Sequence, residues 1–128
     1  MQFRTILSLL SIGLLVISCK KQIFTINEEV SIGFNSNVFI ETDTDDLEIG
    51  YTELINESRC PPGAYCVTVG SVEVKLKVDN DHYVLGILSE TPDSVVHNNH
   101  VVKLLAVQYD SDDDFGKEKK SSVLIQVY

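Results

Sequence analysis

The chain lacks an apolar run long enough to span a bilayer, and it is poor in basic residues. Its longest uncharged, largely apolar stretch, residues 5–17, is shorter than the ~20 residues that a membrane-spanning helix needs. Lys and Arg number 10 against 19 Asp and Glu, which gives a formal net charge of −9. Because phosphate binding needs clustered Lys and Arg, this balance argues against nucleic acid as a partner and favours a well-solvated surface.

Recognisable catalytic motifs are missing as well. The sequence has no Gly-x-Ser-x-Gly and no glycine-rich phosphate loop, and its carboxylates are too numerous for an acid–base pair to be picked out. We therefore predict a non-enzymatic binding or accessory module without a cofactor. An envelope hydrolase or glycan-active enzyme with an unrecognised site, and a purely structural envelope protein, stay as alternatives.

The first residues have the pattern of an export signal. Arg4 precedes the apolar run, and a small residue, Ser18, follows it. This order is typical of a cleaved secretory signal peptide. Val16-Ile17-Ser18-Cys19 further resembles the bacterial lipobox, which implies cleavage before Cys19 and attachment of diacylglycerol to its sulfur. Two fatty chains anchor a protein stably.

These signals predict a three-part chain. Residues 1–18 form the leader, residues 19–27 a lipid-anchored spacer, and residues 28–128 the folded domain. The membrane is then a partner through the lipid on Cys19, and the expected location is the bacterial cell envelope. Lys20-Lys21 lacks the acidic residues of some surface-export signals, which favours the periplasmic face of the outer membrane. The sequence does not identify the protein or glycan partner.

The cysteine count agrees with export. Three cysteines are present, and lipidation of Cys19 leaves Cys60 and Cys66 as a pair in a compartment that permits disulfides.

Beyond the spacer, period-two alternation predicts an all-β fold. Apolar residues at 72, 74, 76 and 78 alternate with charged ones, as in a half-buried strand. Seven or eight strands punctuated by turns indicate an antiparallel β-sandwich, with a small β-barrel as the alternative. Gly50, Gly70 and Gly86 interrupt strand patterns and predict bulges or close packing. The candidate strands are residues 30–34, 38–41, 47–52, 72–78, 82–88, 101–109 and 122–128.

The segment Glu57-Ser58-Arg59-Cys60-Pro61, with Cys66, Val67 and Gly70 after it, resembles a motif of an uncharacterised family of small secreted bacterial proteins. In that family an acidic residue precedes Ser-Arg-Cys-Pro, and a second Cys and a hydrophobic-x-x-Gly follow. Thr68 stands where the family often has Trp, and Gln108-Tyr109-Asp110 where it tends to have Pro-Tyr-Pro. The resemblance implies fold and location rather than an activity.

The motif also has its own chemistry. A Cys60–Cys66 bridge would restrain a short loop at the start of a strand and stabilise the fold by about 2 kcal/mol. Arg59 is expected to pair with Glu57 or to bind carbonyl groups at strand ends. We predict foremost a structural staple, and alternatively a presenting loop with Arg59 and Tyr65 as contact residues.

Two weak metal candidates remain. Asp110, Asp112 and Asp114 recur at alternate positions as in a calcium loop, but Phe115 and Ser121 stand where that loop needs Gly and a bidentate Glu. A solvated acidic hairpin is the better interpretation. His97 and His100 are interpreted as solvent-exposed turn residues, because zinc needs three or four ligands. No metal site is therefore predicted.

Overall fold

Our computed structural model describes residues 21–128 of the chain. This part contains nine β-strands and two single-turn 3₁₀ helices. The predicted leader and Cys19, the predicted lipidation position, lie outside the described residues. The strands are β1 (Ile23–Thr25), β2 (Glu29–Gly33), β3 (Asn37–Glu41), β4 (Leu47–Glu57), β5 (Val72–Val78), β6 (Asp81–Ile87), β7 (Ser94–His97), β8 (His100–Tyr109) and β9 (Ser121–Val127). The 3₁₀ turns, Asp112–Asp114 and Glu118–Lys120, lie between β8 and β9.

The strands form two open sheets, which confirms the predicted all-β sandwich. One sheet has the order β1-β3-β4-β5-β6 and the other the order β2-β9-β8-β7. All pairings are antiparallel except that of β1 with β3. Because β1 lies within residues 19–27, part of the predicted spacer belongs to the sheet. The count of nine exceeds the predicted seven or eight because the short β1 and β7 are not among the candidate strands.

Alternation along the strands builds the core between the sheets. In β5 every second residue is buried and the residues between face outward, as the period of two requires. Tyr51 is the bulkiest fully buried residue, and its hydroxyl lies 2.7 Å from Ser121 Oγ on the other sheet. The buried apolar core residues are Val30, Ile32, Val38, Ile40, Leu47, Ile49, Tyr51, Val72, Val74, Leu76, Val78, Leu85, Val102, Leu104, Val107, Val123, Ile125 and Val127.

The register places the connections at two opposite ends. β4 ends and β5 begins around the pair Glu57 and Val72, so residues 58–71 define what we call the loop end. The β3–β4, β5–β6 and β7–β8 turns, residues 42–46, 79–80 and 98–99, define the turn end. β1 runs parallel to β3 and therefore opposite to β4. Ile23 pairs with Phe39, which pairs with Glu48, so β1 lies level with the turn-end part of β4.

Bulges or close packing are predicted at Gly50, Gly70 and Gly86, and none of the observed bulges lies at these glycines. The register shifts in β4 lie between Tyr51 and Glu53 and between Leu54 and Asn56, and β8 has one between Leu104 and Ala106. An extra residue in one strand leaves a backbone group unpaired. At Leu54 the amide instead donates to Glu118 Oε2 at 2.9 Å, so a side chain from outside the sheet compensates the bulge.

Candidate functional site

A disulfide closes the connection between β4 and β5. Cys60 and Cys66 are bonded, with their Cα atoms 5.8 Å apart, which confirms the predicted pair. Inside the ring the Ala64 amide donates to the Pro61 carbonyl at 3.1 Å, and Gly63 has a positive φ of 77°, a conformation that glycine adopts without steric cost. The loop is therefore a tight cross-linked turn rather than an extended linker.

The same loop exposes large apolar side chains. Tyr65 and Val67 are fully exposed, and Val69 is 83% exposed. Leu88, just after β6, is 68% exposed and lines with Val67 and Val69 an open groove of about 310 Å³ beside the disulfide. Scattered apolar residues are normal on a surface, whereas several gathered at one place mark a contact site. We call Tyr65, Val67, Val69 and Leu88 the apolar tip.

A partly buried ion pair attaches this loop to the sandwich. The Glu57 side chain is only 6% exposed. It accepts hydrogen bonds from Arg59 Nε at 2.9 Å and Arg59 Nη2 at 2.7 Å, and from the Tyr109 hydroxyl at 2.7 Å. Paired bonds between a guanidinium and a carboxylate are strong and directional. The pair therefore fixes the direction in which the chain leaves β4.

Arg59 also joins the two sheets. Its Nη2 donates to the Val107 carbonyl of β8 at 3.1 Å, and its guanidinium lies 6.0 Å from the centroid of the Phe115 ring. Both roles expected of Arg59, pairing with Glu57 and binding a carbonyl group, thus occur together. Its side chain is 24% exposed, and its donors are directed inward. Of the two predicted contact residues, Tyr65 belongs to the apolar tip, while Arg59 holds the loop and also lines the groove beside the disulfide.

The environment of this cluster shifts three pKa values. Burial disfavours the ionised form of Glu57, but the hydrogen bonds from Arg59 and Tyr109 outweigh it, so the Glu57 pKa lies below its ordinary value. The bond to Glu57 raises the pKa of Arg59. Burial, followed by donation to Glu57, raises the pKa of Tyr109 well above its ordinary value. The cluster is therefore an ionised pair with a neutral phenol at neutral pH.

Gly70 closes the loop by a near approach to its other arm. A Cβ atom at Gly70 would lie 1.7 Å from the Ser58 carbonyl oxygen, so no larger residue fits there. Beside it, the Ser58 amide donates to the Ser71 carbonyl at 2.8 Å, and the Ser71 amide donates to Ser58 Oγ at 3.0 Å. Close packing, rather than a bulge, is the role of this glycine.

A different polar cluster lies at the turn end. His97 is buried, 7% exposed, and not solvent-exposed as predicted. Its Nε2 lies 3.0 Å from Asp79 Oδ2 and its Nδ1 lies 2.9 Å from the Tyr83 hydroxyl. A carboxylate only accepts, so Nε2 donates to Asp79, while Nδ1 faces the Tyr83 hydroxyl and lies 3.6 Å from Asp81 Oδ2. Both ring nitrogens are thereby occupied, and this cluster fastens the β5–β6 turn to β7.

The acidic turn after β8 is organised by local bonds. Ser111 Oγ donates to Asp114 Oδ2 at 2.8 Å, and Lys117 Nζ lies 3.5 Å from Asp114 Oδ1. The bond from Ser111 lowers the pKa of Asp114. Within residues 21–128 no three His, Cys, Asp or Glu side chains are grouped closely enough to hold a metal ion. Asp110, Asp112 and Asp114 thus form no such group.

The sequence indicates only part of this site. It singles out the Cys60–Cys66 bridge, the Glu57–Arg59 pair and Tyr65. Its candidate strands leave out Val67 and Val69, and nothing in the spacing of these two residues reveals that both are exposed. The sequence signal that could have revealed this exposure is the position of two valines in a segment that also contains two prolines and two cysteines.

Comparisons with known proteins give no match for this chain, whether with a family model, a curated protein or a solved structure. In the described part of the chain, no helix has the length and apolar character needed to cross a membrane.

Proposed function

We propose that this chain is a membrane-tethered lipoprotein of the bacterial cell envelope and a non-enzymatic binding or accessory module whose contact surface is the apolar tip. The observation that carries this function is the exposure of Tyr65, Val67 and Val69 on a loop that is cross-linked and anchored by a partly buried ion pair. A rigid surface loses little conformational entropy on binding, which favours a role in recognition.

Two further features support the envelope location. A disulfide such as Cys60–Cys66 is typical of proteins in oxidising compartments, where cytosolic thiol reductants are absent. The sequence of residues 1–19 combines the export pattern with the lipobox resemblance. Each feature arises from a different part of the chain, and both favour the same compartment.

The tether is tested by mass spectrometry of the protein purified from membranes of bacteria that produce the full chain. We expect a chain that starts at Cys19 and carries diacylglycerol. The control variant Cys19→Ala should accumulate with its leader uncleaved. An unmodified Cys19, or a membrane-bound chain that retains the leader, would contradict the lipoprotein proposal.

The contact surface is tested by photo-crosslinking in the same cells. A photoreactive residue in place of Tyr65 is expected to form covalent products with envelope components. The matched control replaces Val96, which is 67% exposed on β7 near the turn end, and is expected to give few products. Equal yields at both positions would show that the apolar tip is not a selective contact site.

A further inference from the structure

We infer that the apolar tip receives an extended segment of a partner protein. The segment adds as a strand to the open edge of β8, places an apolar side chain against Leu88 and carries a basic residue beside the acidic turn after β8. This inference rests on the proposed function, because it names the class of partner that the contact surface binds.

Much of β8 has a neighbouring strand on one side only. β7 pairs with residues 100–103 of β8, and the Leu104 amide still donates to the Asp93 carbonyl at 2.7 Å. Before Asp93 the chain turns to the other sheet, where the Pro92 carbonyl accepts from the Gly86 amide at 3.0 Å. In the described part of the chain, no strand therefore lies beside the rest of β8 on the β7 side.

The Val107 backbone faces this open side. Its carbonyl accepts from Arg59, and in an antiparallel ladder the amide and the carbonyl of one residue point to the same neighbour. The Val107 amide therefore points away from β9, and among residues 21–128 it has no acceptor. Val107 is 4% exposed, so water satisfies this amide poorly, and an amide without a partner costs free energy. An added strand supplies the missing carbonyl.

Two hollows border this edge and meet at Leu88. The first, of about 500 Å³, is lined by Leu104 and Leu105 of β8. The second is the groove of about 310 Å³ beside the disulfide, and its wall includes Arg59, the residue bonded to Val107. Leu88 lines both hollows, which we together call the edge groove. Its size is that of a binding site rather than of a surface dimple.

Leu88 has a backbone conformation that leucine rarely adopts. Its φ is 58°, and the other five non-glycine residues with positive φ in the described chain are all Asn or Asp, which tolerate that region better. The side chain of Leu88 is also 68% exposed. Neither the strain nor the exposure stabilises the fold, whereas both are features of binding sites. Leu88 therefore suits the role of an apolar anchor in the edge groove.

The charge beside the apolar tip favours a basic partner. The Phe115 ring lies 6.0 Å from the Arg59 guanidinium and brings the connection 110–120 next to the second hollow. That connection has five acidic and three basic side chains. Asp112 and Asp113 are exposed, and neither forms an ion pair within the described residues. A segment with Lys or Arg beside its apolar residue is complementary to this charge, whereas an anionic lipid surface or a second copy of this acidic chain is not.

Selection from random short peptides displayed on phage tests the inference, with the purified mature lipoprotein in detergent as the target. We expect enriched peptides that have Lys or Arg next to an apolar residue. Methylation of alternate backbone amides in a selected synthetic peptide should weaken binding about tenfold in one register and little in the other, because only every second amide of an edge strand pairs with its neighbour. Equal affinities in the two registers would contradict strand addition.

Leu88→Asn separates binding from folding. Asn tolerates a positive φ, so we expect this variant to keep or raise the melting temperature. The loss of apolar contact should nevertheless weaken binding of the selected peptide about tenfold. The matched control is Val96→Asn, since Val96 is 67% exposed on β7, and its affinity should equal that of the wild type. A peptide that Leu88→Asn binds as tightly as the wild type does would overturn the inference.

A second pair of variants tests the charge. Asp112→Asn with Asp113→Asn should weaken peptide binding severalfold at low salt and less at high salt. Asp43→Asn with Asp46→Asn, which removes two exposed acidic residues of the turn end, should leave the affinity unchanged. Equal losses in the two double variants would contradict a selective attraction beside the apolar tip.

The outcomes distinguish this inference from the proposed function. Photo-crosslinks at Tyr65 without any enriched peptide would leave the apolar tip as a contact surface and overturn its occupation by an extended basic segment. Peptides that depend on Leu88, in a protein whose Tyr65 gives no selective crosslinks, would support the edge groove and overturn Tyr65 as a contact. A wild-type dimer in analytical ultracentrifugation that Leu88→Asn dissociates would assign the groove to a second copy and overturn the inference.

Discussion

Glu57 is the buried charge on which the attachment of the loop depends. Its two oxygens accept from Arg59 and from Tyr109 at 2.7–2.9 Å. Removal of such a carboxylate leaves a guanidinium and a hydroxyl with unmet bonds in a partly buried place, which costs more than the loss of an exposed pair.

Replacement of Glu57 by Ala is therefore expected to lower the free energy of unfolding by about 3 kcal/mol, the lower limit for a broken buried pair, because Arg59 stays partly exposed. The measurement is urea denaturation at neutral pH. The matched control is Glu53→Ala, since the pair of Glu53 with Lys75 at 3.3 Å is exposed, and its loss should cost less than about 0.5 kcal/mol. Equal losses in the two variants would contradict a structural role for the Glu57 cluster.

Gly70 allows a second test, with another glycine as the control. A methyl group at Gly70 collides with the Ser58 backbone, whereas one at Gly33 meets only Ser36 Oγ at 3.7 Å. We expect Gly70→Ala to destabilise the protein by about 2 kcal/mol or more through overpacking. Gly33→Ala should be neutral or stabilising by a few tenths of a kcal/mol. Thermal melting of both variants measures this, and a neutral Gly70→Ala would show that the close contact is not needed.

At the residue scale, the sequence predicts which neighbouring side chains form pairs better than it predicts which side chains are exposed to solvent. The adjacency of Glu57 and Arg59 predicts their pairing, because two residues of opposite charge so close in sequence meet readily. Tyr109 joins them from 52 residues away in sequence, and His97 meets Asp79 from 18 away. Such contacts are set by strand register, which a local pattern does not contain.

At the scale of elements, the loop and the strands have different supports. Hydrogen-bonded ladders and the core hold the strands, whereas the disulfide and the Glu57–Arg59 pair hold residues 58–71. Loss of one support of the loop is therefore expected to loosen the loop and leave the sandwich folded.

Reduction of the Cys60–Cys66 bond is expected to lower the free energy of unfolding by about 2 kcal/mol, from the entropy of a short closed ring in the unfolded chain. Denaturation with and without a reductant measures the change. The variant with both Cys60→Ser and Cys66→Ser serves as the control. Its free energy of unfolding should equal that of the reduced wild type and should not change when the reductant is added. A reductant effect in that variant would trace the loss to another cause.

The strands could be predicted where alternation is regular and long. All seven candidate strands overlap observed ones, and residues 72–78 match β5 fully. β4 continues to Glu57, beyond the predicted residue 52, because its two register shifts break the alternation. β1 and β7, of three and four residues, are too short for a period to be visible. Residues 67–69 have strand-like composition without a partner strand.

At the scale of the whole molecule, pH acts on stability through the shifted groups. The folded-state pKa of Glu57 is lowered, so its contribution is present above the pKa of the unfolded chain, about 4.3. That contribution is lost as the pH falls through the folded pKa, because the unfolded state then binds protons first.

Acid denaturation profiles test this sign. We expect the wild-type unfolding free energy to fall more steeply below about pH 4 than that of Glu57→Gln, which has no carboxyl at this position to titrate. Glu53→Gln, altered at an exposed carboxyl, should keep the wild-type slope. An unchanged slope in Glu57→Gln would contradict a lowered pKa at Glu57.

The loss of stability at alkaline pH has the opposite origin, because it arises from a pKa that is raised in the folded state. Burial and the bond to Glu57 raise the pKa of Tyr109 in the folded state, so its contribution is fully present below about pH 10, the pKa of a free tyrosine, and is lost above it. Tyr109→Phe should therefore lose less stability between about pH 10 and 12 than the wild type does. Denaturation at these pH values measures it, with exposed Tyr65→Phe as the control, and an identical decline in all three proteins would contradict the raised pKa.

The attachment of β1 has a mechanical consequence. β1 contributes three residues at the edge of its sheet, where its strand partner is β3. A force applied to the chain at Lys21 would act first on the hydrogen bonds between β1 and β3, and only afterwards on the strands that form the core. Detachment of β1 would lengthen the connection by about 10 Å while every buried core residue, from Val30 onward, stays in place. Release of the first strand would therefore extend the chain without unfolding the core.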